Sequence, residues 1–406
     1  MSNCPVEYWI WLQNALGAGA RTDELLSYFK TPEEMYKAGE YEWRLSGLLT
    51  PRKIELLKNS TLGQTTVIIN ECRQKGYKII TPDDNLFPDR LRNLSDMPLV
   101  LYGIGDCSVM NDVVSIGMVG TRNASNYGTE TAQKLSFLLA LSGVTIVSGG
   151  ALGIDSEAHA GAMLAKGRTL AFMGCGLSVN YLKENAALRR AITRYGAVVT
   201  EYSPFTPANR TTFPTRNRLI SGVSLGIVVV EAGVKSGSLI TANFALEQGK
   251  DVFAVPGDIV RSSFGGTNHL IKNGAKPVFT AEDILSEYEY LYGDLLDLSN
   301  AKVNVASVPY VNYRKKKSVT KANQEKQKIS MEDNKTPTSK IERKALPEDM
   351  SAEAKTVYSV LNENGVHIDD IVRKSNLKMN VVLSSLTELE LLDFVQLESG
   401  KKYKII

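Results

Sequence analysis

Cysteine and histidine are scarce in this chain, at four and three of 406 residues. Cys4, Cys72, Cys107 and Cys175 are widely scattered and form neither a CxxC nor a Cys/His ligand spacing, which argues against structural zinc and a disulfide framework. Free thiols in a reducing cytoplasm are the expectation. No run reaches the ~18 apolar residues needed to span a bilayer, and MSNCPVEYWIWLQN has no basic segment ahead of an apolar one. A soluble protein with no membrane partner and no secretory leader is therefore expected. Neither sign of charge dominates, since 47 Lys and Arg stand against 44 Asp and Glu for a net +3. That balance hides a local excess: Tyr313 to Lys344 carry eleven Lys and Arg against four Asp and Glu, or +7, which leaves the rest of the chain at about −4. Cations elsewhere matter by position.

Two phosphate-binding signatures are missing as well. The first apolar strand does not lead into GxGxxG, and Arg122 stands where a pyrophosphate would need bare backbone. GxxxxGK[ST] is absent, and no aspartate-ended strand follows in register to hold magnesium. Neither a dinucleotide cofactor nor an ATPase is expected.

What is present is a series of apolar runs between residues 113 and 257, each ending in a glycine-rich or basic turn. They read VVSIGMVGTR, VTIVSGGALGID, TLAFMGCG, AVVTEYSPF, LGIVVVEAGVKSGS and DVFAVPGD. Val, Ile and Leu without period-2 alternation, separated by helical stretches, mark a parallel sheet buried on both faces, hence an α/β fold. In such sheets ligands bind beyond the carboxyl ends of the strands. Those ends carry Gly120, Arg122, Gly149, Gly150, Gly153, Lys235, Ser236 and Gly237, so one edge of the sheet collects small residues and positive charge.

Composition divides the chain into four parts. Residues 1–63 read as short helices with Gly-containing connections, a small helix-hairpin-helix-like module in which Thr31 followed by Pro32, Glu33 and Glu34 starts a helix. LSGLLTPRKIELL, a glycine turn entering a basic helix, could meet a phosphate backbone or a protein partner. Residues 64–290 form the sheet domain, with YKIIT and LVLYG adding strands at one edge. Residues 291–345 read as a basic linker rich in Lys, Ser, Thr and Asn, too poor in apolar residues to offset chain entropy. Residues 346–406 hold three helices and two short strands around ESGK, a winged helix. Its third helix has only Lys378 as a basic residue, which fits protein contact better than duplex reading.

The chemistry concentrates in three turns. In GMVGTRNASNYG, exposed amides, a helix N-terminus and the Arg122 guanidinium favour phosphate. In ANRTTFPTRNRLISG, Arg210, Arg216 and Arg218 surround Phe213, which suits phosphates with a base stacked on the ring; the alternative is a core Phe213 and one arginine in an internal ion pair. In EAGVKSGSLITANFALEQGK, Lys235, Ser236 and Ser238 precede a helix and make another anion site. Between them SGGALGIDSEAH brings Gly149 and Gly150 close to any ligand, while Asp155 reads as a cap and His159 as a packing residue. An extended single strand would use all of these sites; one mononucleotide would not. Paired carboxylates, a nucleophile with its base and metal ligands are missing from this edge, so it looks built to hold a ligand and not to cleave one.

The segments GTRNASNYG, SGGALGIDSEAH, FPTRNRLISG, KSGSLITANFALEQG, VFAVPGD and GTNHLIKNGA, in this order, resemble the DNA-processing protein A family (DprA, also called Smf) over residues 64–290. The resemblance implies an extended Rossmann-like core, and the N-terminal helix-hairpin-helix or SAM-like module and C-terminal winged helix are similar to accessory domains of many members. It implies that the protein binds and protects single-stranded DNA and loads the RecA recombinase during natural transformation and recombination, with a single-stranded DNA-binding protein as a further partner. The pocket it implies uses Arg122, Arg210, Phe213, Arg216, Asn217, Arg218 and Lys235, and it implies a homodimer through Asn268, His269, Leu270 and Ala275. Two other readings compete. Phosphoribohydrolases of the wider superfamily use PGGxGTxxE, but here the corresponding stretch has Lys235, Ser236 and Gly237 in place of the double glycine, with Glu247 too far along the helix. A duplex-binding transcription factor would rest on the winged helix alone.

Overall fold

A computed structural model describes residues 4–312, 346–347, 350–362, 365–398 and 402–405, in two units divided between Pro309 and Tyr310. The first unit opens with helices α1 (Val6–Leu16), α2 (Asp23–Phe29), α3 (Pro32–Leu45), α4 (Pro51–Asn59) and α5 (Leu62–Lys75). The expected start at Thr31 is present: its hydroxyl accepts from the Glu34 main-chain N–H at 3.1 Å, and Pro32 occupies the first turn. Thr50 caps α4 the same way. Trp11 is fully buried and meets the Tyr36 ring edge-on at 5.0 Å. Ile68 and Cys72 of α5 pack in the same cluster as Trp11, so the helical layer runs on through α5 beyond residue 63. Gln13 fastens it to the sheet. Its amide donates to the Val100 and Glu201 carbonyls, and its carbonyl accepts from the Leu99 and Val100 N–H groups at 3.0 and 2.8 Å. A buried primary amide is satisfied here by four main-chain partners.

The sheet has nine strands: β1 (Lys78–Ile80), β2 (Leu101–Gly105), β3 (Ser115–Val119), β4 (Thr145–Ser148), β5 (Thr169–Met173), β6 (Gly196–Thr200), β7 (Gly226–Val229), β8 (Asp251–Ala254) and β9 (Lys276–Pro277). Their order is β1, β2, β6, β5, β4, β3, β7, β8, β9. From β6 to β9 neighbours are parallel; β1 and β2 add an antiparallel edge, where the sequence placed YKIIT and LVLYG. Strands β3 to β7 are buried at every position, which explains their unalternating apolar sequences.

Helices α6 (Asp89–Arg92), α7 (Asn126–Leu141), α8 (Ile154–Leu164), α9 (Ala186–Tyr195), α10 (Thr212–Val223), α11 (Ser238–Glu247) and α12 (Gly265–Lys272) connect the strands. Along β7, Val228 faces the cluster built with α7 and α8, whereas Ile227 and Val229 face the one built with α10 and α11. The chain runs outward from β3 through β4, β5 and β6, then returns to the other side of β3 as β7. This is the extended Rossmann-like order, and it places a topological switch point at β3.

Residues 291–312, expected in the linker, do not all behave as one. After α13 (Glu282–Leu285) and α14 (Glu289–Tyr292), α15 (Leu298–Ala301) returns to α7. Ala301 and Val308 are buried in the cluster with Leu135 and Leu138, and the Asp297 N–H donates to the Ser142 carbonyl at 3.1 Å. A few well-spaced apolar residues suffice because α7 supplies the rest of the surface. The remainder of the expected linker, residues 313–345 with its RKKK run, lies outside the described residues.

The second unit holds α16 (Ala352–Val360), β10 (Val366–His367), α17 (Ile368–Ser375), α18 (Met379–Leu391), β11 (Val395–Glu398) and β12 (Lys402–Ile405). Its antiparallel sheet has the order β10, β12, β11, and Ile371, Val382, Leu386 and Tyr403 share its core. This is the winged helix expected from the sequence. Among the described residues, no helix is long and apolar enough to cross a membrane.

Candidate nucleic-acid interface

The switch point opens into a cavity of about 320 Å³, walled by the turns after β3, β4 and β7 and by the first two turns of α10. Phe213 lies at its centre of interactions and is only partly buried. The Arg122 guanidinium covers the Phe213 ring at 4.8 Å, the Arg216 guanidinium approaches at 6.0 Å, and the Tyr181 ring packs at 5.3 Å with a 41° tilt. Room for the ring comes from Gly174, where a Cβ would sit 2.6 Å from it.

The two arginines do different things. Arg122 is exposed and forms no ion pair among the described residues, so its donors face solvent and any ligand. Arg216 is buried; it donates to the Gly149 carbonyl at 2.7 Å, to the Phe172 carbonyl, and to the Asn217 amide oxygen at 3.1 Å. It clamps the end of β5 to the glycine turn after β4. Gly149 must lack a side chain because its Cβ would lie 2.6 Å from both Arg216 and Asp155. Asp155 accepts from the Ala151 N–H at 3.3 Å. Burial raises its pKa, opposed first by the Arg216 charge and then by that N–H and Arg122. It pins the glycine turn instead of capping the helix that follows.

The third wall is Ser236, Gly237 and Ser238 at the start of α11. The two serine hydroxyls lie 2.8 Å apart, and the Asn217 amide donates to the Gly237 carbonyl at 3.4 Å. Lys235 stands exposed next to this wall, without an ion pair among the described residues.

Of the residues singled out from the sequence, Gly120, Arg122, Phe213, Arg216, Asn217, Ser236, Gly237 and Ser238 line one cavity. Gly149 and Gly150 do not line it; Gly149 acts through its carbonyl on Arg216. Arg210 is exposed in the loop before α10 and lies outside the lining. Arg218 is removed from the site altogether: it is 1% exposed and pairs with Glu201 at 2.8 Å and Asp96 at 3.0 Å. The internal ion pair considered for this segment therefore belongs to Arg218, while the ring it accompanies is not core.

The N-terminus of α7 is likewise unavailable to phosphate. Ser125 caps it, accepting from the Gly128 N–H at 3.1 Å, and the Glu231 carboxylate accepts from both the N–H and the hydroxyl of Ser125 at 2.9 and 2.8 Å. A protein carboxylate already occupies the anion position. His159 is buried, bonds through Nδ1 to the Thr169 hydroxyl at 2.7 Å, and takes no part in the cavity.

Sequence reasoning missed Tyr181, which comes from the turn-rich SVNYLKEN stretch after β5. Its only signal was an aromatic in an otherwise polar loop near a strand end.

At the far end of the sheet, β9 pairs with β8 alone. Asn268 is occupied holding the loop after β8, exchanging hydrogen bonds with Gly257 at 3.0 and 3.2 Å. Leu270 and Ala275 are partly buried and border a cleft of about 370 Å³, and His269 is exposed. Among the described residues, no three His, Cys, Asp or Glu side chains converge to hold a metal ion.

Comparison with known proteins identifies relatives of both units. Residues 78–289 match the family model for DNA recombination-mediator protein A, and residues 342–401 match the DprA winged helix domain. Protein Smf of Synechocystis is 30% identical over 416 aligned residues, covering 100% of both chains. The DNA processing protein DprA of Bacillus subtilis is 41% identical over 220 residues, 54% of this chain and 74% of that one. The X-ray structure of DNA processing protein A from Streptococcus pneumoniae superposes with a TM-score of 0.62 at 30% identity, covering 70% of this chain and 98% of the other.

Proposed function

This chain belongs to the DNA recombination-mediator protein A family, and from that premise we propose that its switch-point cavity binds single-stranded DNA. One phosphate lies on Arg122, with Lys235 serving the next, and a base packs against the pair formed by Arg122 and Phe213. The observation that carries the reading is this pair: an exposed guanidinium, without an ion pair among the described residues, 4.8 Å over a partly exposed ring at the carboxyl edge of the sheet. Such a combination reads backbone charge and a π-face, which every nucleotide offers.

The wider role follows from the family. The protein protects incoming single strands and loads the RecA recombinase onto them in transformation and recombination, and it meets single-stranded DNA-binding protein on the same substrate. It works as a homodimer across the β9 end of the sheet, where Leu270 and Ala275 border a cleft that also carries Lys250, Asp251, Lys276 and Glu287. All four cysteines are free and buried, in keeping with a cytoplasmic setting.

A binding role is favoured over an enzymatic one because the carboxylates at this edge are already engaged. Asp155 holds Ala151 and faces Arg216, and Glu231 holds Ser125. Neither stands as a free general base or nucleophile. Equilibrium binding of a labelled oligonucleotide at graded salt tests the proposal. Affinity falls steeply with salt if phosphates supply the contacts; a flat response contradicts it.

A further inference from the structure

A second cleft, of about 160 Å³, lies beside the loop that follows β5. Its floor includes Ile104 of β2 and Val198 of β6, which are register partners across the antiparallel edge. Cys175, Leu177 and Val179 of the loop form one wall. The mouth is different in character: Arg189, Arg190 and Thr193 of α9 close it.

Carboxylates compensate some arginines of this chain, although buried Arg216 is held by main-chain carbonyls instead. Arg218 pairs with Glu201 and Asp96, and Arg168 with Asp106 and Asp112. Arg189 is half-buried yet spends one N–H on the Leu182 carbonyl at 3.1 Å and meets no carboxylate among the described residues. Arg190 is exposed and likewise has no acidic partner. Burial lowers the Arg189 pKa, and the Arg190 charge lowers it further. Two adjacent guanidiniums of like charge are tolerated more easily when an anion lies between them and solvent. The apolar floor behind them calls for a ligand with a flat, weakly polar body attached to that anion. A nucleotide has both parts.

Position adds the second argument. The loop that walls this cleft continues through Tyr181, whose ring lies 5.3 Å from Phe213. One loop thus supplies a wall of this cleft and, through Tyr181, a ring contact to the Phe213 of the first cavity.

Resting on the single-stranded DNA reading above, we infer that this cleft is a second nucleotide subsite: a base enters between Ile104, Val198 and the loop, and its phosphate lies on Arg189 and Arg190. The nucleotide belongs either to a strand that leaves the first cavity over Tyr181 or to a free nucleoside monophosphate.

The test uses the full chain, a short and a long labelled oligothymidylate, and thymidine monophosphate. Arg190→Glu changes an exposed side chain and leaves the melting temperature unaltered. It weakens the long oligonucleotide by about tenfold while sparing the short one. Thr193→Phe narrows the mouth without a change of charge and gives the same pattern. If instead both oligonucleotides bind normally but thymidine monophosphate binding is lost in these variants, the subsite exists and its ligand is the free nucleotide. If neither arm changes in either variant, the inference is overturned. Arg122→Ala run alongside separates the two proposals, because failure of that variant to weaken either oligonucleotide counts against the first cavity and not this one.

Discussion

The Arg122 guanidinium lies 4.8 Å over the Phe213 ring. One residue comes from the turn after β3 and the other from the first turn of α10, so the pair forms only where the sheet reverses direction. Charge and stacking surface are combined there in a single contact point.

The two halves of that pair are separable. Arg122→Ala removes a phosphate partner and weakens binding for every sequence, with the salt slope falling by about one. Phe213→Ala removes the ring, costs on the order of 1–3 kcal/mol in binding, and leaves the salt slope nearly unchanged. Anisotropy titrations of one oligonucleotide at several salt concentrations measure both quantities.

Arg218→Ala has the opposite signature. It leaves Glu201 buried without its cation, which costs about 3–5 kcal/mol of folding stability. Urea denaturation reports this loss, whereas the affinity of the remaining folded protein stays close to that of the parent. A weakened oligonucleotide affinity with undiminished stability would place Arg218 in the interface after all.

These two arginines show where reading the sequence reaches its limit. The parallel strands, the glycine turns and the basic carboxyl edge were legible, because burial on both faces and the need for bare backbone leave a direct mark on composition. Arg216 and Arg218 stand two residues apart on α10, which is about 200° around a helix, so they point to different surroundings. Which one faces Glu201 depends on a residue at the end of β6, distant in sequence. The same applies to Glu231, whose carboxylate fills the α7 N-terminus only because β7 lies beside β3. Tyr181 escaped notice because a loop aromatic has no periodicity to reveal its direction.

Ser125→Ala removes the cap of α7 and one of the two hydrogen bonds to Glu231, at a cost of about 1 kcal/mol. Glu231→Gln keeps the shape but removes the charge opposite the helix dipole. Because the two side chains touch, the double variant is less damaging than the sum of the single ones, and a double-mutant cycle in urea measures the difference. Strict additivity would show that Glu231 does not act through Ser125.

His159 gives the fold a pH dependence. Burial, with a smaller contribution from Arg216, holds its imidazole down at about 3 against an ordinary 6.5. The unfolded chain therefore takes up a proton that the folded chain refuses. The stability associated with His159 is complete above about 6.5 and is lost as pH falls towards about 3, with a slope approaching 1.4 kcal/mol per pH unit. His159→Gln flattens this part of the profile, which urea midpoints between neutral and acidic pH record. An unchanged slope would mean that His159 is protonated in the folded protein.

The most direct test of the central claim is competition for a labelled single strand bound to the full chain, with unlabelled single strand and unlabelled duplex of equal length compared side by side, in the parent and in Arg122→Ala. The account predicts that the single strand displaces the label, that duplex does so poorly although it is more densely charged, and that Arg122→Ala reduces the affinity being competed for. Equal displacement by duplex, together with an Arg122→Ala affinity matching the parent, would contradict it.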